Sequence, residues 1–344
     1  MKSFKIGNIK IGEKHNPIVV VEIGINHKGS LDLAIDMVDK AIESGAQIIK
    51  HQTHVIDDEM SFEAKKIRPG NANMSIYDVI KKNSLNEKDE KRLMNYVKNR
   101  KKIFISTPFS RRAADRLQSF DVPAFKIGSG ECNNYPLVEY IAKFRKPIIL
   151  STGMNSIETI RPSVKIFRKY KIPYALLHCT NVYPTPSKLV RINSLTLLNK
   201  KFPDAILGIS DHTNNIYTSI ASVALGASII EKHFTDSKSR PGPDISSSMD
   251  PNDLKQLIYG IKQVYLARGN SKQPLKEESK TINFAFASVA STKFIKAGEK
   301  LTQDNIFLKR PNTGYFGPRD YYSLLGKVAK KDIKFNSQIK KADV

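Results

Sequence analysis

The chain has 344 residues, of which 40% are hydrophobic and 26% charged, and its formal net charge is +23. This composition is typical of a soluble globular protein, and no apolar run approaches the length of a membrane span. We expect no secretory signal, because the N-terminus lacks an apolar core followed by a small-residue cleavage site. Cys132 and Cys179 make no disulfide framework, which favours a reduced, cytoplasmic setting.

The basic surplus has two interpretations, a nucleic-acid or membrane partner and a lysine-rich surface. The densest basic groups are short, such as Arg100-Lys101-Lys102 and Lys330-Lys331. They lie outside the polar clusters that follow the predicted strands, and they lack the interleaved aromatics of a single-strand platform. The pattern favours a lysine-rich surface, which would also suit an anionic substrate, and predicts no nucleic-acid or membrane partner.

The chain begins with a hairpin signal, followed by eight repeats of a short apolar segment and an amphipathic helix. Residues 4–11 alternate apolar and polar side chains around Gly7-Asn8, which predicts two antiparallel strands. The predicted strands of the repeats are Ile18–Val21, Gln47–Ile49, Ile103–Ile105, Ala124–Ile127, Pro147–Leu150, Tyr174–Leu177, Ala205–Ile209 and Ser228–Ile230. The predicted helices are one capped by Ser30 and ended by Gly45, then 86–99, 111–119, 136–144, 156–169, 192–200, 216–225 and 251–267. A long insertion with a turn at 68–71 occupies residues 55–84.

Near-continuous apolar strands that alternate with helices indicate a parallel sheet covered by helices. Eight such units in about 250 residues match a closed (β/α)8 TIM barrel. An open doubly wound sheet is the alternative, but no GxGxxG motif follows the first strand. We therefore predict an α/β fold, a TIM barrel with an N-terminal hairpin, over residues 1–268.

The C-terminal part of the chain, from residue 269, has a different sequence pattern. Residues 269–283 are polar, lack apolar periodicity and are predicted to be a linker. Strand-like pieces follow at Phe284–Ser291, Phe294–Ile295 and Lys327–Ile333, separated by turns at 296–298 and 311–314. About 60 residues of this kind predict a small β-rich domain, 284–344, that is marginal in stability on its own.

In a parallel barrel the functional side chains sit at the C-terminal ends of the strands. His212 and His233 follow neighbouring strands, so they can meet in space and bind a divalent metal. Lysines and hydroxyls suit an anion that carries phosphate and carboxylate, and carboxylates suit proton transfer or sugar hydroxyls. Taken singly, each residue could instead be a salt-bridge partner, a surface group or a turn former. The polar residues predicted at this rim are Glu22, Lys50, Gln52, Thr107, Lys126, Ser129, Glu131, Ser151, Asn181, Ser210, His212 and His233.

Nine short motifs follow one another along the chain. They are VEIGINH at 21–27, KHQT at 50–53, STPFS at 106–110, FKIGSGECNNYP at 125–136, LSTGMN at 150–155, HCTNVYPTP at 178–186, ISDHT at 209–213, EKHFTD at 231–236 and RPGPD at 240–244. In this order they closely resemble the bacterial sialic acid synthase family, and the tail from Phe284 resembles its antifreeze-like (SAF) domain. The resemblance covers nearly the whole chain. It implies condensation of phosphoenolpyruvate with N-acetylmannosamine and water to give N-acetylneuraminate and phosphate. Legionaminate and pseudaminate synthases share much of the pattern.

The resemblance also implies roles for single residues. His212 and His233 would bind Mn²⁺, or else Mg²⁺ or Co²⁺. The implied catalytic residues are Glu22, Glu131, Lys50 and Lys126. The implied substrate-binding residues are Gln52, Thr107, Phe109, Ser129, Ser151, Asn181, Tyr183, Ser210, Asp244 and Arg310.

Within that set, the phosphate of phosphoenolpyruvate would be held by Lys50, Thr107 and Ser210. Its carboxylate region would be held by Lys126, Ser129, Ser151 and Asn181, and the sugar hydroxyls would meet Glu22, Tyr183 and Asp244. In the family, the tail caps the barrel of the partner subunit in a domain-swapped homodimer, and Arg310 would reach the N-acetyl group of the sugar.

Three alternatives remain open. Within the family, the chain could make legionaminate from a 2,4-diacetamido hexose. A different enzyme class is an aldolase that forms a Schiff base on Lys126 or Lys50. A non-enzymatic carbohydrate- or ice-binding role, suggested by the tail, would leave the polar barrel rim without a purpose.

Overall fold

The computed structural model describes residues 2–69, 73–242, 244–269 and 271–344. The chain divides into two compact units, Met1–Gly269 and Asn270–Val344. In the described part of the chain, no helix combines the length and the apolar composition needed to cross a membrane.

The first unit starts with the predicted hairpin. Strands β1 (Ser3–Ile6) and β2 (Ile9–Gly12) pair antiparallel around Gly7 and Asn8. Gly7 adopts φ +57°, the left-handed conformation that glycine reaches without a steric penalty. Ile6 and Ile11 are buried among apolar side chains of the barrel interior, so the hairpin closes the N-terminal end of the barrel.

Eight parallel strands close into a barrel in the order β10-β3-β4-β5-β6-β7-β8-β9, which confirms the predicted fold. Several of them extend further toward their C-terminal ends than the apolar runs predicted, because polar residues continue the hydrogen-bonded ladder. The strands are β3 (Ile18–Gly24), β4 (Ile48–Thr53), β5 (Ile103–Pro108), β6 (Phe125–Ile127), β7 (Ile148–Ser151), β8 (Tyr174–Cys179), β9 (Ile206–Asp211) and β10 (Ile229–His233).

Helices surround the barrel, and their apolar faces form the main core against the outer faces of the strands. Serine side chains cap several of the helices. Ser30 Oγ accepts the Leu33 amide at 3.3 Å, as predicted, and Ser110 Oγ likewise accepts that of Ala113. The helices are α1 (Leu31–Glu43), α2 (Ile56–Glu59), α3 (Ile76–Asn83), α4 (Glu87–Asn99), α5 (Arg111–Ser119), α6 (Tyr135–Ala142), α7 (Ile157–Lys169), α8 (Ser187–Val190), α9 (Ser194–Lys201), α10 (Tyr217–Ala224) and α11 (Pro251–Ala267).

The insertion 55–84 is partly helical. It holds α2, a 3-10 turn at Phe62–Lys66 and α3, and Val79 and Ile80 of α3 pack on Ile25. The turn predicted at 68–71 falls partly on residues 70–72, which lie outside the described residues.

The second unit contains α12 (Ser279–Ala285), α13 (Tyr321–Leu324) and the antiparallel strands β11 (Ser288–Ser291) and β12 (Ile306–Lys309) around its own small core. Three details differ from the sequence prediction. The linker 269–283 includes a 3-10 turn and most of α12, so Phe284 is helical rather than extended. Strand β12 was not predicted. The predicted strand-like pieces at 294–295 and 327–333 contribute single bridges, Lys300 to Val328 and Ile295 to Ile333, rather than strands.

Candidate active site

The barrel interior changes from apolar to polar within two residues on seven of its eight strands. Side chains two positions apart share a face of a strand, so each inward-facing apolar residue is followed by an inward-facing polar residue at the C-terminal end. The lower, apolar layer is Val20, Ile48, Ile105, Ala124, Ile149, Leu177 and Ile229. The upper, polar layer on the same strands is Glu22, Lys50, Thr107, Lys126, Ser151, Cys179 and Glu231.

A cavity of about 140 Å³ opens above the polar layer. It brings together most of the residues that the sequence predicted for a site. Those that line it are Glu22, Lys50, Gln52, Thr107, Phe109, Lys126, Ser129, Ser151, Asn181, Tyr183, Ser210, His212 and His233.

Two lysines and two carboxylates form the floor of the cavity. Lys50 Nζ contacts Glu22 Oε2, donates to Thr107 Oγ1 at 3.1 Å and lies 3.7 Å from Glu231 Oε1. Lys126 Nζ lies 3.6 Å from the same oxygen of Glu231. All five side chains are buried. Because buried charges are costly unless they are paired, this balanced group is stable only as a set.

Burial and charge oppose each other in this group. Desolvation lowers the pKa of Lys50 to about 8, although Glu231 acts in the opposite direction. Burial alone would raise the pKa of Glu231, but Lys126 and Lys50 outweigh it and hold that pKa below its usual value. Lys50 and Glu231 are therefore both charged near neutral pH, and an anion that enters the cavity meets the ammonium donor of Lys50.

Two imidazoles form one wall of the cavity. The ring centroids of His212 and His233 are 5.5 Å apart, and the Tyr183 ring lies 4.1 Å from that of His212. His212 Nδ1 donates to the Thr180 carbonyl at 3.0 Å, which leaves Nε2 of that tautomer as a lone-pair donor. Burial lowers the pKa of His212 to about 4 and that of His233 to about 3, so both rings are neutral at pH 7.

This pair fits a divalent metal ion. His233 Nδ1 is buried and has no hydrogen-bond partner among the described residues, and Asp244 Oδ2 lies 3.7 Å from it. Neutral imidazoles are good ligands for divalent transition metals. Over the described ranges, no group of three or more His, Cys, Asp or Glu side chains is arranged to hold a metal. An ion held by the two imidazoles would take its remaining ligands from water or substrate.

A second wall presents hydroxyl and amide groups. Ser151 Oγ is buried and lacks a hydrogen-bond partner in the part of the chain that the structure describes. Ser129 Oγ accepts the Gly153 amide at 3.0 Å. A Cβ at Gly153 would lie 1.8 Å from Asn181 Oδ1, so only glycine allows this close approach. Ser210 Oγ donates to Glu231 Oε1 at 3.3 Å.

An aromatic and amide wall completes the cavity. The rings of Phe109 and His54 stack with centroids 4.4 Å apart. His54 Nδ1 lies 2.8 Å from Glu59 Oε2, and its Nε2 lies 3.3 Å from Gln52 Oε1. With Nε2 of His54 as donor, the amide oxygen of Gln52 is occupied and its NH₂ group is available to a ligand.

Three predicted site residues lie outside the lining. Glu131 ends the 3-10 turn Ser129–Glu131, is half-buried and accepts from Asn134 Nδ2 at 2.7 Å. Burial raises the pKa of Asp244, beside His233, to about 6. Arg310 is an exposed residue of the second unit and directly follows β12. The roles predicted for all three stay predictions.

The sequence prediction missed Glu231 and Cys179 as lining residues. Glu231 is two positions before His233, and the alternation along β10 would have placed both side chains on the inner face. The predicted strand ended at Ile230 because Glu-Lys-His was interpreted as a loop. The same alternation on β8 places Cys179 two positions after Leu177.

Comparison with known proteins decides the family. The model of the NeuB family matches residues 37–273, and that of the SAF domain matches residues 286–344. The chain belongs to the NeuB family.

The resemblance to the sialic acid synthases is thereby confirmed for both parts of this NeuB-family chain. The chain is 37% identical over 331 residues to N,N'-diacetyllegionaminic acid synthase of Campylobacter jejuni, and the match covers 94% of this chain and 98% of the relative. It is 32% identical to N-acetylneuraminate-9-phosphate synthase of Mus musculus, covering 92% of this chain and 89% of the relative. A crystal structure of N-acetylneuraminic acid synthetase from Leptospira borgpetersenii superposes with a TM-score of 0.75 at 29% identity, covering 82% of this chain and 95% of that chain.

Proposed function

We propose that this protein condenses phosphoenolpyruvate with N-acetylmannosamine and water to give N-acetylneuraminate and phosphate. One observation carries the proposal: one small cavity combines two lysines, a Ser151 hydroxyl without a hydrogen-bond partner among the described residues, and two neutral imidazoles. Phosphoenolpyruvate needs cationic and hydroxyl donors, and an open-chain sugar needs polarisation of its aldehyde.

The lysines hold the anion. Lys50 and Thr107, already joined by a hydrogen bond of 3.1 Å, face the phosphate together with Ser210. Lys126, together with the Ser151 hydroxyl, faces the carboxylate. Glu231 keeps both ammonium groups in place before the anion arrives, since its Oε1 lies within 3.7 Å of each.

The atoms balance as follows. C3 of phosphoenolpyruvate attacks the aldehyde carbon, and this C–C bond leaves positive charge at C2. The oxygen of water adds at C2. The bond between C2 and the bridging oxygen then breaks, the added oxygen becomes the C2 carbonyl, and phosphate leaves with the bridging oxygen. One proton of the water goes to the former aldehyde oxygen and the other to the phosphate. Glu131, at the edge of the site, orients the water, and Glu22, Tyr183 and Asp244 bind the sugar hydroxyls.

His212 and His233 would hold the divalent cation, with Mn²⁺ proposed first and Mg²⁺ or Co²⁺ as substitutes. Bound there, the ion would act as a Lewis acid on the aldehyde oxygen. The residues themselves keep both rings neutral by burial, and the Nδ1 hydrogen bond of His212, a lining residue of the cavity, leaves a lone pair on its Nε2.

A second candidate product is a legionaminate made from a 2,4-diacetamido hexose. The 37% identical Campylobacter relative, named a diacetyllegionaminic acid synthase, favours it. Both reactions use the same anion site and differ only in the sugar.

The test incubates the purified protein with Mn²⁺ and phosphoenolpyruvate labelled with ¹⁸O at the bridging oxygen, in parallel with each sugar. We expect a product with the mass of N-acetylneuraminate and label in the released phosphate. A product only from the diacetamido sugar would assign the legionaminate reaction. Unlabelled phosphate, or a borohydride-trapped adduct on Lys126, would contradict both in favour of a different cleavage or an imine mechanism.

We further propose a domain-swapped homodimer in which Arg310 serves the partner's barrel. The second unit presents exposed aromatic side chains suited to a protein contact, including Phe307, Tyr315 and Tyr322. Mixing unfolded Arg310→Ala and His212→Ala chains and refolding them together tests the swap. Mixed dimers regain one intact site only if the tail crosses between subunits, so no recovery of activity would rule out the exchange.

A further inference from the structure

Directly behind the two imidazoles, on the outer faces of the same strands, lies a buried ion pair that does not line the cavity. Asp211 ends β9, and Lys232 is its registered neighbour on β10. The two side chains are each 1% exposed, with Lys232 Nζ 3.5 Å from Asp211 Oδ2. Asp211 immediately precedes His212, and Lys232 immediately precedes His233.

The Asp211 carboxylate binds the segment that follows His212. Its Oδ1 accepts the Thr213 amide at 2.9 Å. Its Oδ2 accepts the hydroxyls of Thr218 at 2.8 Å and Ser219 at 2.6 Å, both in the first turn of α10. The carboxylate therefore joins the end of β9 to the start of the next helix, with His212 between them.

The Lys232 ammonium holds the backbone on both sides of His212. It donates to the Thr213 carbonyl at 2.6 Å and to the Asp211 carbonyl at 3.3 Å. One side chain of β10 thus fixes the carbonyls of the residues before and after His212, which directly follows β9. Any shift of Lys232 also moves the next residue, His233, so the two rings share one anchor.

Stability alone does not account for this arrangement. A buried ion pair is often no more stabilising than apolar side chains of similar volume, because both charges must be desolvated. What apolar side chains cannot supply is a donor for the two carbonyls that flank His212. The function left for the pair is to fix geometry.

We propose that Asp211 and Lys232 are positioning residues that set the separation and orientation of His212 and His233 toward a divalent cation. The inference rests on the proposed function, because it takes the two imidazoles as the ligands. Residues that orient metal ligands from behind typically change metal affinity by about 10- to 100-fold when they are replaced.

The test measures Mn²⁺ binding by the EPR signal of the free ion, without substrates. The key variant is the double substitution Asp211→Asn/Lys232→Met, which leaves no unpaired buried charge but removes the ammonium donor. The single variant Lys232→Met is measured beside it. The matched control is Asp204→Asn, which breaks the half-exposed pair with Arg168 near the N-terminal end of the same strand. Urea unfolding at one pH shows that each variant is folded.

We expect the double variant to stay folded and to bind Mn²⁺ about tenfold or more weakly than wild type, and Asp204→Asn to bind as wild type does. Phosphoenolpyruvate binding, followed separately by isothermal titration, should be unchanged in the double variant. Wild-type Mn²⁺ affinity in a folded double variant would overturn the inference and leave the proposed function standing. Failure of wild type to bind a divalent ion would overturn both. If the double variant does not fold, the affinity of Lys232→Arg, which keeps the charge but alters the donor geometry, decides in the same way.

Discussion

The lower and upper layers of the barrel interior are contributed by the same strands and differ in polarity. Ile48 and Lys50 lie on one face of β4, and Ile149 and Ser151 on one face of β7. The lower residue of each pair packs against apolar neighbours and the hairpin, whereas the upper one faces the cavity. Apolar burial stabilises the fold at about 25 cal/mol per Å². Buried charges do not, so the upper layer reflects chemistry rather than stability.

The comparison predicts that changes in the upper layer impair catalysis far more than changes in the lower layer do. The largest effect is expected for Lys126→Met, which removes a buried ammonium from the anion site. A desolvated charged contact of this kind is worth about 2–5 kcal/mol, so kcat/KM for phosphoenolpyruvate should fall by about 30- to 4,000-fold. Steady-state phosphate release measures it.

Lys146→Met is the matched control, because Lys146 pairs with Asp121 at 2.6 Å outside the barrel interior. Its kcat/KM should equal that of wild type. If Lys126→Met retained wild-type kcat/KM, the upper layer would not be the anion site.

A pair of substitutions on β7 separates the layers directly. Ile149→Ala should lower the free energy of unfolding by about 2–5 kcal/mol through lost burial and a cavity, with KM values unchanged. Ser151→Ala should leave stability nearly unchanged, since its Oγ has no hydrogen-bond partner among the described residues. It should raise KM for phosphoenolpyruvate about tenfold, the value of one hydrogen bond to a charged group. Urea unfolding and kinetics on both variants check this, and equal effects of the two on stability would contradict the division.

The sequence predicted the layers better than the cavity. Apolar runs such as Ile18–Val21 identified the lower layer, and the first polar residues after them, Glu22 among them, identified the rim. The ends of the strands were missed because polar side chains that face a barrel mouth do not interrupt a β-ladder. Glu231 was missed as a lining residue for that reason. No sequence rule gives the distances that set Lys50 between Glu22 and Glu231.

The second unit was harder to predict for a different physical reason. Strand β12 has one buried side chain, Ile306, among four residues, so its sequence carries little alternation. Helix α12 has no buried residue, so its sequence does not need the apolar stripe at helical spacing by which a helix is recognised. Short elements with little burial are determined by their tertiary context rather than by their own pattern.

Arg310→Ala extends the comparison beyond the barrel. If Arg310 reaches the N-acetyl group, the variant should raise KM for the sugar about tenfold, the value of one hydrogen bond by a charged group, and leave KM for phosphoenolpyruvate unchanged. The matched control is Arg319→Ala, another exposed arginine of the same unit. Equal losses for both substrates would count against the predicted role.

The smallest predicted effect is on the pH dependence of stability, and it comes from His27, a buried titratable residue outside the cavity. Its Nδ1 accepts the Gly29 amide at 3.1 Å, and its ring stacks on His51, which is paired with Glu90. Burial, with smaller contributions from His51 and His54, lowers the pKa of His27 to about 3. The unfolded chain binds a proton there near the usual value of about 6.5, so stability is lost as pH falls below it.

When the pH is lowered from 7 to 5.5, the unfolding free energy of wild type should therefore fall by about 1 kcal/mol more than that of His27→Gln. Urea unfolding of both proteins at the two pH values measures the difference. Parallel pH dependences would show that the buried imidazole takes up its proton in the folded state as readily as in the unfolded chain, and that burial at this position does not govern its charge.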